Sequence, residues 1–153
     1  MAFHVGKRNI DNTEYFASKL NMATAGRFQL STDGYRPYLT AIPAAFRQPI
    51  AFAQLAKNFK IPDEAERRRY SPPKIVRIEK IPICGNPDPA RISTSIVERS
   101  NLSVRTHNRR MARLTTGYSK KWQNHEAMLA LYFCWYNWCR SHSTIKSTPA
   151  VAA

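Results

Sequence analysis

The sequence predicts an α/β fold, and three observations carry that prediction. Segments with strand-like and helix-like hydrophobic patterns follow one another in the order strand, helix, strand, helix, strand, helix, helix. Hydrophobic residues make up 43% of the chain, which is enough for a buried core and argues against wholesale disorder. The chain has 153 residues, a length typical of one domain.

The first half of the chain contains the clearest strand. Residues 3–5 look like the end of a strand, and a helix that Asp11 or Asn12 caps is expected to run to about Ala23. Residues 27–33 alternate apolar and polar side chains, as a half-buried strand does, and Asp33-Gly34 closes that strand with a turn. Residues 38–59 are predicted to be helical in two parts, the second being the apolar run 50–56.

Three further elements complete the predicted order. The charged residues 60–73 predict a loop, and residues 74–81 form the second clear strand. A basic helix is expected from Ser95 past Arg113, and an aromatic helix from Ser119 to Ser141. Because apolar side chains occupy several faces of the aromatic helix, we expect it to be buried and not to stack on bases. Its tryptophans are Trp122, Trp135 and Trp138.

The charge of the chain is strongly positive. Lys and Arg number 24 against 10 Asp and Glu, which gives a net charge of +14. The bases are densest between Glu98 and Glu126, a stretch that contains no acid. Such a block attracts polyanions, although a run of charge is also an ordinary solvated helix face, and the high pI favours nucleic acid. The candidate DNA contacts are Arg99, Arg105, Arg109, Arg110 and Arg113.

Several other classes of protein and site are disfavoured. We expect no secretory leader, because the amino terminus lacks an apolar run before a small-residue cleavage site. We expect no membrane span, because the most apolar stretch, 127–139, is shorter than the roughly 20 residues that spanning takes. The three cysteines suit free, mostly buried thiols in a reducing cytosol, without zinc-finger spacing to histidine. No Walker A loop, GxGxxG or Ser/His/Asp arrangement is present.

Two carboxylates are candidates for catalysis or metal binding. Asp33 is expected at the carboxyl end of a strand, the ligand-facing edge of an open α/β sheet, and its alternative is ordinary Asp-Gly turn chemistry. Glu98 opens the basic helix, and its alternative is a capping box with Ser95. Carboxylates beside a phosphate-binding face suit Mg²⁺, which takes oxygen ligands and bridges to phosphate.

Six segments carry a resemblance to a known family. They are residues 5–9 (VGKRN), 23–34 (ATAGRFQLSTDG), 93–102 (STSIVERSNL), 105–110 (RTHNRR), 133–140 (FCWYNWCR) and 148–150 (TPA). With these segments the chain resembles the carboxyl-terminal part of a bacterial insertion-sequence transposase of the DDE type, close to the insertion-sequence-one family. The similarity covers almost the whole chain.

The resemblance implies a ribonuclease H-like fold, the DDE integrase/transposase catalytic core, in which Asp, Asp and Glu hold Mg²⁺ or Mn²⁺. Asp33 matches the second Asp and Glu98 matches the Glu, whereas no acid of this chain matches the first Asp. We therefore expect one partial, amino-terminally truncated domain over 1–153. Residues 1–59 would carry Asp33, 60–73 a loop, and 74–153 a strand, the basic helix with Glu98 and the aromatic helix.

The function implied by the resemblance is that of an insertion-sequence transposase, which cleaves and transfers DNA strands with a metal ion during DNA transposition, a recombination of a mobile element. Its partners would be transposon ends and target DNA, with homo-oligomers or other transposase chains and no membrane, in the bacterial cytoplasm at the nucleoid. Because the first acid is unmatched, enzymatic activity of this chain stays open. The alternative is a non-catalytic basic nucleic-acid-binding protein, which has no reason to bring Asp33 and Glu98 together.

Overall fold

The structure is a computed structural model that describes residues 2–46, 50–60, 75–112 and 114–152. The predicted α/β class is confirmed, because a three-stranded mixed sheet is combined with helices. The chain divides into two compact units, Ala2–Ser95 and Ile96–Ala153. The expectation of one partial domain over 1–153 stays a prediction.

The first unit contains the sheet. Its elements are α1 (Ile10–Met22), β1 (Gln29–Asp33), α2 (Tyr38–Ala45), β2 (Ala51–Phe59) and β3 (Ile75–Cys84), followed by a short 3-10 helix at Pro89–Arg91. The strand order is β1-β2-β3; β1 and β2 are parallel, and β2 and β3 are antiparallel. A parallel pair needs a crossover connection, and α2 lies in it.

The prediction of a helix over 50–56 was wrong, because these residues enter β2. Phe52, Ala53, Gln54 and Leu55 are buried one after another, which is typical of a strand covered on both faces. A short apolar run cannot be separated from a helix by its periodicity, and here the parallel partner β1 decided the outcome.

Apolar side chains cover both faces of β2. One cluster packs α1 and α2 against the sheet and comprises Ala17, Ala41, Ile42, Phe46, Ile50 and Phe52. A smaller cluster on the other face joins Ala53 and Leu55 to Ile92. The central strand is therefore fixed from both sides, and this fixes the carboxyl end of its neighbour β1.

Other predicted elements of the first unit had mixed outcomes. The helix over 11–23 is confirmed as α1, but the cap expected at Asp11 or Asn12 is wrong, because the Asn9 side chain caps the helix by accepting the Asn12 N–H at 3.2 Å. The strand expected at 3–5 is wrong: the segment is irregular, and the His4 ring lies edge-on to Tyr15 with centroids 4.8 Å apart. The loop expected over 60–73 lies, apart from Lys60, outside the described residues.

The second unit is helical. It contains α3 (Ser95–His107), a 3-10 turn at Arg109–Met111, α4 (Trp122–Cys134), a π-helical turn at Trp135–Cys139, and α5 (Pro149–Ala152). The prediction that the basic helix runs past Arg113 was wrong, because α3 ends at His107. Asn108 ends it by accepting the Arg110 N–H at 3.1 Å, which starts the 3-10 turn.

The expected burial of the aromatic helix was also wrong. Leu129 and Tyr132 are buried, but Trp122, Trp135 and Trp138 are 56%, 39% and 68% exposed. The expectation of mostly buried thiols fails in the same region, because Cys134 and Cys139 are exposed while Cys84 is half-buried. Within the described ranges, no helix is both long and apolar enough to cross a bilayer.

Candidate functional site

Asp33 lies at the carboxyl end of β1, opposite Leu55 of β2, and its carboxylate is exposed. One oxygen, Oδ1, accepts the Tyr35 N–H at 3.2 Å, which is the Asp turn that the sequence offered as an alternative. The other oxygen, Oδ2, lies 3.3 Å from a guanidinium nitrogen of Arg8. Asp33 therefore both stabilises the turn and lies at the ligand-facing end of the strand, which were the two interpretations that the sequence offered.

Two tyrosines lie near this carboxylate and Arg8, and Arg8, Asp33, Tyr35 and Tyr38 are called the Asp33 cluster. The Arg8 guanidinium stacks over the Tyr35 ring, 4.2 Å from its centroid, and the Tyr35 and Tyr38 rings meet edge to face at 5.4 Å. Beneath them the buried Gln54 side chain donates to the Tyr35 carbonyl at 3.2 Å. The turn after β1 is thus attached to β2, which orients the Asp33 carboxylate.

The charges of the Asp33 cluster affect the pKa of the Tyr38 phenol. Burial raises the pKa of Tyr38 above its ordinary value of 10.0; the Asp33 carboxylate raises it further, and Arg8 opposes the shift. Tyr38 is therefore neutral at physiological pH and can donate a hydrogen bond. The Asp33 cluster therefore combines a neutral hydrogen-bond donor, Tyr38, with the Arg8 cation and the Asp33 carboxylate.

The Arg8–Asp33 ion pair is weak. Both side chains are more than half exposed, and exposed pairs contribute about 0–1 kcal/mol. A metal ion or a phosphate can therefore separate the two groups at little cost. Sequence reasoning assigned Arg8 no role, because it lies 25 residues before Asp33 and no local spacing links them.

Glu98 lies in the first turn of α3, and its side chain is exposed. The Ser95 N–H donates to the Ser93 hydroxyl at 3.1 Å, so that amide has a partner other than the expected capping-box glutamate. Asp33 belongs to the first compact unit and Glu98 to the second. Their convergence stays a prediction.

Among the described residues, no other acids complete a metal site around Asp33. Asp88 exchanges two hydrogen bonds with Gln29, at 2.8 and 3.1 Å, and Gln29 is at the opposite end of β1, about 13 Å away at strand rise. In the part of the chain that the structure describes, no three His, Cys, Asp or Glu side chains are grouped so that they could hold a metal ion.

The candidate DNA-binding arginines are distributed over two elements. Arg99 and Arg105 lie on α3, while Arg109 and Arg110 lie on the 3-10 turn after it, and Arg113 lies outside the described residues. At about 100° per residue, Arg99 and Arg105 point about 120° apart around α3. The helix alone does not present one arginine stripe, whereas Arg109 and Arg110 are adjacent and both exposed.

Comparison of the chain with family models, with curated proteins and with solved structures found no match.

Proposed function

We propose that the chain is part of a DDE-type transposase catalytic domain, which binds DNA and contributes acids to metal-dependent strand cleavage and strand transfer. One observation carries the proposal: an exposed Asp33 carboxylate ends the first strand of a parallel strand-helix-strand unit. The carboxyl ends of parallel strands are where open α/β sheets bind ligands. The DNA-binding part is supported by the positive charge of the chain.

The donor chemistry of Asp33 fits a divalent ion in part. Mg²⁺ and Mn²⁺ prefer carboxylate oxygens, and Asp33 offers an exposed carboxylate that Arg8 holds only weakly. The resemblance, and not the geometry, assigns Glu98 to the same ion. When bound, such ions activate the attacking oxygen and stabilise the leaving one.

Of the three metal-binding acids that the resemblance implies, only Asp33 and Glu98 are matched. We therefore expect no DNA cleavage by the chain alone. Removing one member of a catalytic unit usually abolishes most of its rate. The direct assay is end cleavage with Mn²⁺. Cleavage that Asp33→Asn abolishes would show that another acid fills the first position.

The second candidate function is non-catalytic nucleic-acid binding. It is favoured by the existing partners of Asp33, because the Tyr35 N–H and the Arg8 guanidinium already satisfy one oxygen each. In this case the carboxylate orients a turn and holds Arg8 in place. The two candidates share a nucleic acid as partner and differ in whether Asp33 binds a metal ion.

Iron-directed cleavage of the protein backbone separates the two candidates without needing enzymatic activity. Fe²⁺ replaces Mg²⁺ and reduces added hydrogen peroxide to hydroxyl radicals, which cut the chain beside the bound ion, while ascorbate returns the Fe³⁺ formed to Fe²⁺. We expect cuts next to both Asp33 and Glu98, their loss in Asp33→Asn, and stronger cutting in Arg8→Ala because the competing cation is gone.

Asp88→Asn is the matched control, because it also removes an exposed carboxylate paired with an arginine, at the other end of β1. It should leave the cutting unchanged. Cuts beside Asp33 alone would contradict the binding of one metal ion by both Asp33 and Glu98. An absence of specific cuts would favour non-catalytic nucleic-acid binding.

A further inference from the structure

The outer face of α4 and the π-helical turn is apolar. Leu131, Trp135 and Trp138 are 71%, 39% and 68% exposed, whereas Leu129 and Tyr132 face inward. Leu131 and Trp135, four residues apart, lie on one side of the helix, and Trp138 follows in the π-helical turn. We call these three exposed side chains, Leu131, Trp135 and Trp138, the tryptophan face. All three belong to the second unit.

The π-helical turn brings a cation to this face. The Arg140 N–H donates to the Trp135 carbonyl at 3.0 Å, a bond across five residues that widens the turn. The chain leaves the turn so that the Arg140 guanidinium lies over the Trp135 ring, 5.5 Å from its centroid, and 6.0 Å from that of Tyr136. Isolated π-turns of this kind occur frequently at functional sites.

His107 holds Arg140 in place. Its Nδ1 lies 2.8 Å from the Ser103 carbonyl, which can only accept, so Nδ1 carries the proton and Nε2 is the acceptor. Arg140 donates to that Nε2 at 2.7 Å. One N–H of the guanidinium is used in this way, and others stay available for an anion beside the exposed indoles.

We propose that the tryptophan face, together with Arg140, binds single-stranded nucleic acid. Bases stack on Trp135 and Trp138, and the Arg140 guanidinium binds the backbone phosphate. Aromatic rings among cations are the usual arrangement for unpaired strands, because every base has a face that can stack. The inference rests on the nucleic-acid-binding part of the proposed function and adds the form of nucleic acid that this face recognises.

Charge favours a nucleic acid over a second copy of this chain as the occupant of this face. The second unit has nine Lys and Arg against two acids, Glu98 and Glu126, and no acid follows Glu126. A second copy of the chain would bring the same excess of positive charge against the face, which repels. A polyanion is attracted, and it releases counterions on binding.

The test compares the affinities of the whole chain for an oligothymidine strand and for a mixed-sequence duplex of equal length. We expect Trp138→Ala to weaken binding of the single strand about fivefold or more, the loss of one stacked base, and to change duplex binding less than about twofold. Trp138→Tyr should retain most of the single-strand affinity, because it keeps an aromatic face.

Trp122→Ala is the matched control. Trp122 is also a mostly exposed tryptophan of α4, but it points about 180° away from Leu131 around the helix. It should leave both affinities unchanged.

Three results would overturn the proposal: equal weakening of single-strand and duplex binding, no effect of Trp138→Ala, or a dimer that only Trp138→Ala dissociates. The last would assign the face to a second copy. These results leave the metal test at Asp33 untouched, so failure here is distinguishable from failure of the proposed function.

Discussion

The two compact units carry the same net charge and distribute it differently. Ala2–Ser95 has fifteen bases and eight acids, whereas Ile96–Ala153 has nine bases and two acids, so both balances are +7. In the first unit, ion pairs join Arg8 to Asp33, Arg77 to Glu79 and Arg91 to Asp88. The second unit has two carboxylates for its nine bases. The ratio of bases to acids, and not the net charge, therefore indicates which unit offers a surface for a polyanion.

The units also differ in where their large apolar side chains lie. In the first, Ile42 and Phe52 are fully buried between helices and sheet. In the second, tryptophans face solvent beside Arg140 and the buried core is small. Ile42 and Phe52 thus stabilise the core of the first unit, whereas Trp135 and Trp138 of the second unit are accessible to a binding partner.

The largest expected effect is on the stability of the first unit. Phe52→Ala should lower the free energy of unfolding by about 3–5 kcal/mol, because it leaves a cavity in a closed core. Trp135→Ala should cost about 1–2 kcal/mol, because its ring is partly exposed and already contacts water. Urea unfolding of both variants measures the difference. Equal losses would show that Trp135 is as important to folding as Phe52.

The next effect is on DNA affinity and its dependence on salt. Arg109→Ala with Arg110→Ala should weaken binding to all DNA sequences alike and reduce the slope of log affinity against log salt by about two, if each arginine contacts one phosphate. Arg27→Ala with Arg77→Ala removes the same charge from exposed positions of the first unit and should change the slope little. The same change of slope in both pairs would mean that net charge, and not position, governs binding.

Local signals explain most of what the sequence predicted correctly. The helical hydrophobic pattern predicted α1, and alternation predicted β1 with Asp33 at its end. The features that were missed depend on residues distant in the chain. Phe52 becomes a strand residue because β1 pairs with β2 over a 22-residue separation, and Arg8 reaches Asp33 across 25 residues. The solvent-facing tryptophans were missed because helical periodicity counts apolar faces without showing which of them another element covers.

The smallest expected effect is on stability at alkaline pH. The pKa of Tyr38 in the first unit and that of Tyr132 in the second are both raised, mainly by burial. Above pH 10 the unfolded chain loses these phenolic protons while the folded chain keeps them, so the free energy of unfolding falls as the pH rises. Tyr38→Phe should make this fall less steep, because it removes a phenol with a raised pKa. Burial and the Asp33 carboxylate raise that pKa, and Arg8 lowers it. Urea unfolding between pH 8 and pH 11 at constant ionic strength measures it, with Tyr118→Phe, an exposed tyrosine, as the matched control. A slope unchanged from that of the parent chain would show that the Tyr38 phenol ionises equally well in the folded and unfolded states, and that the Asp33 carboxylate does not act on it.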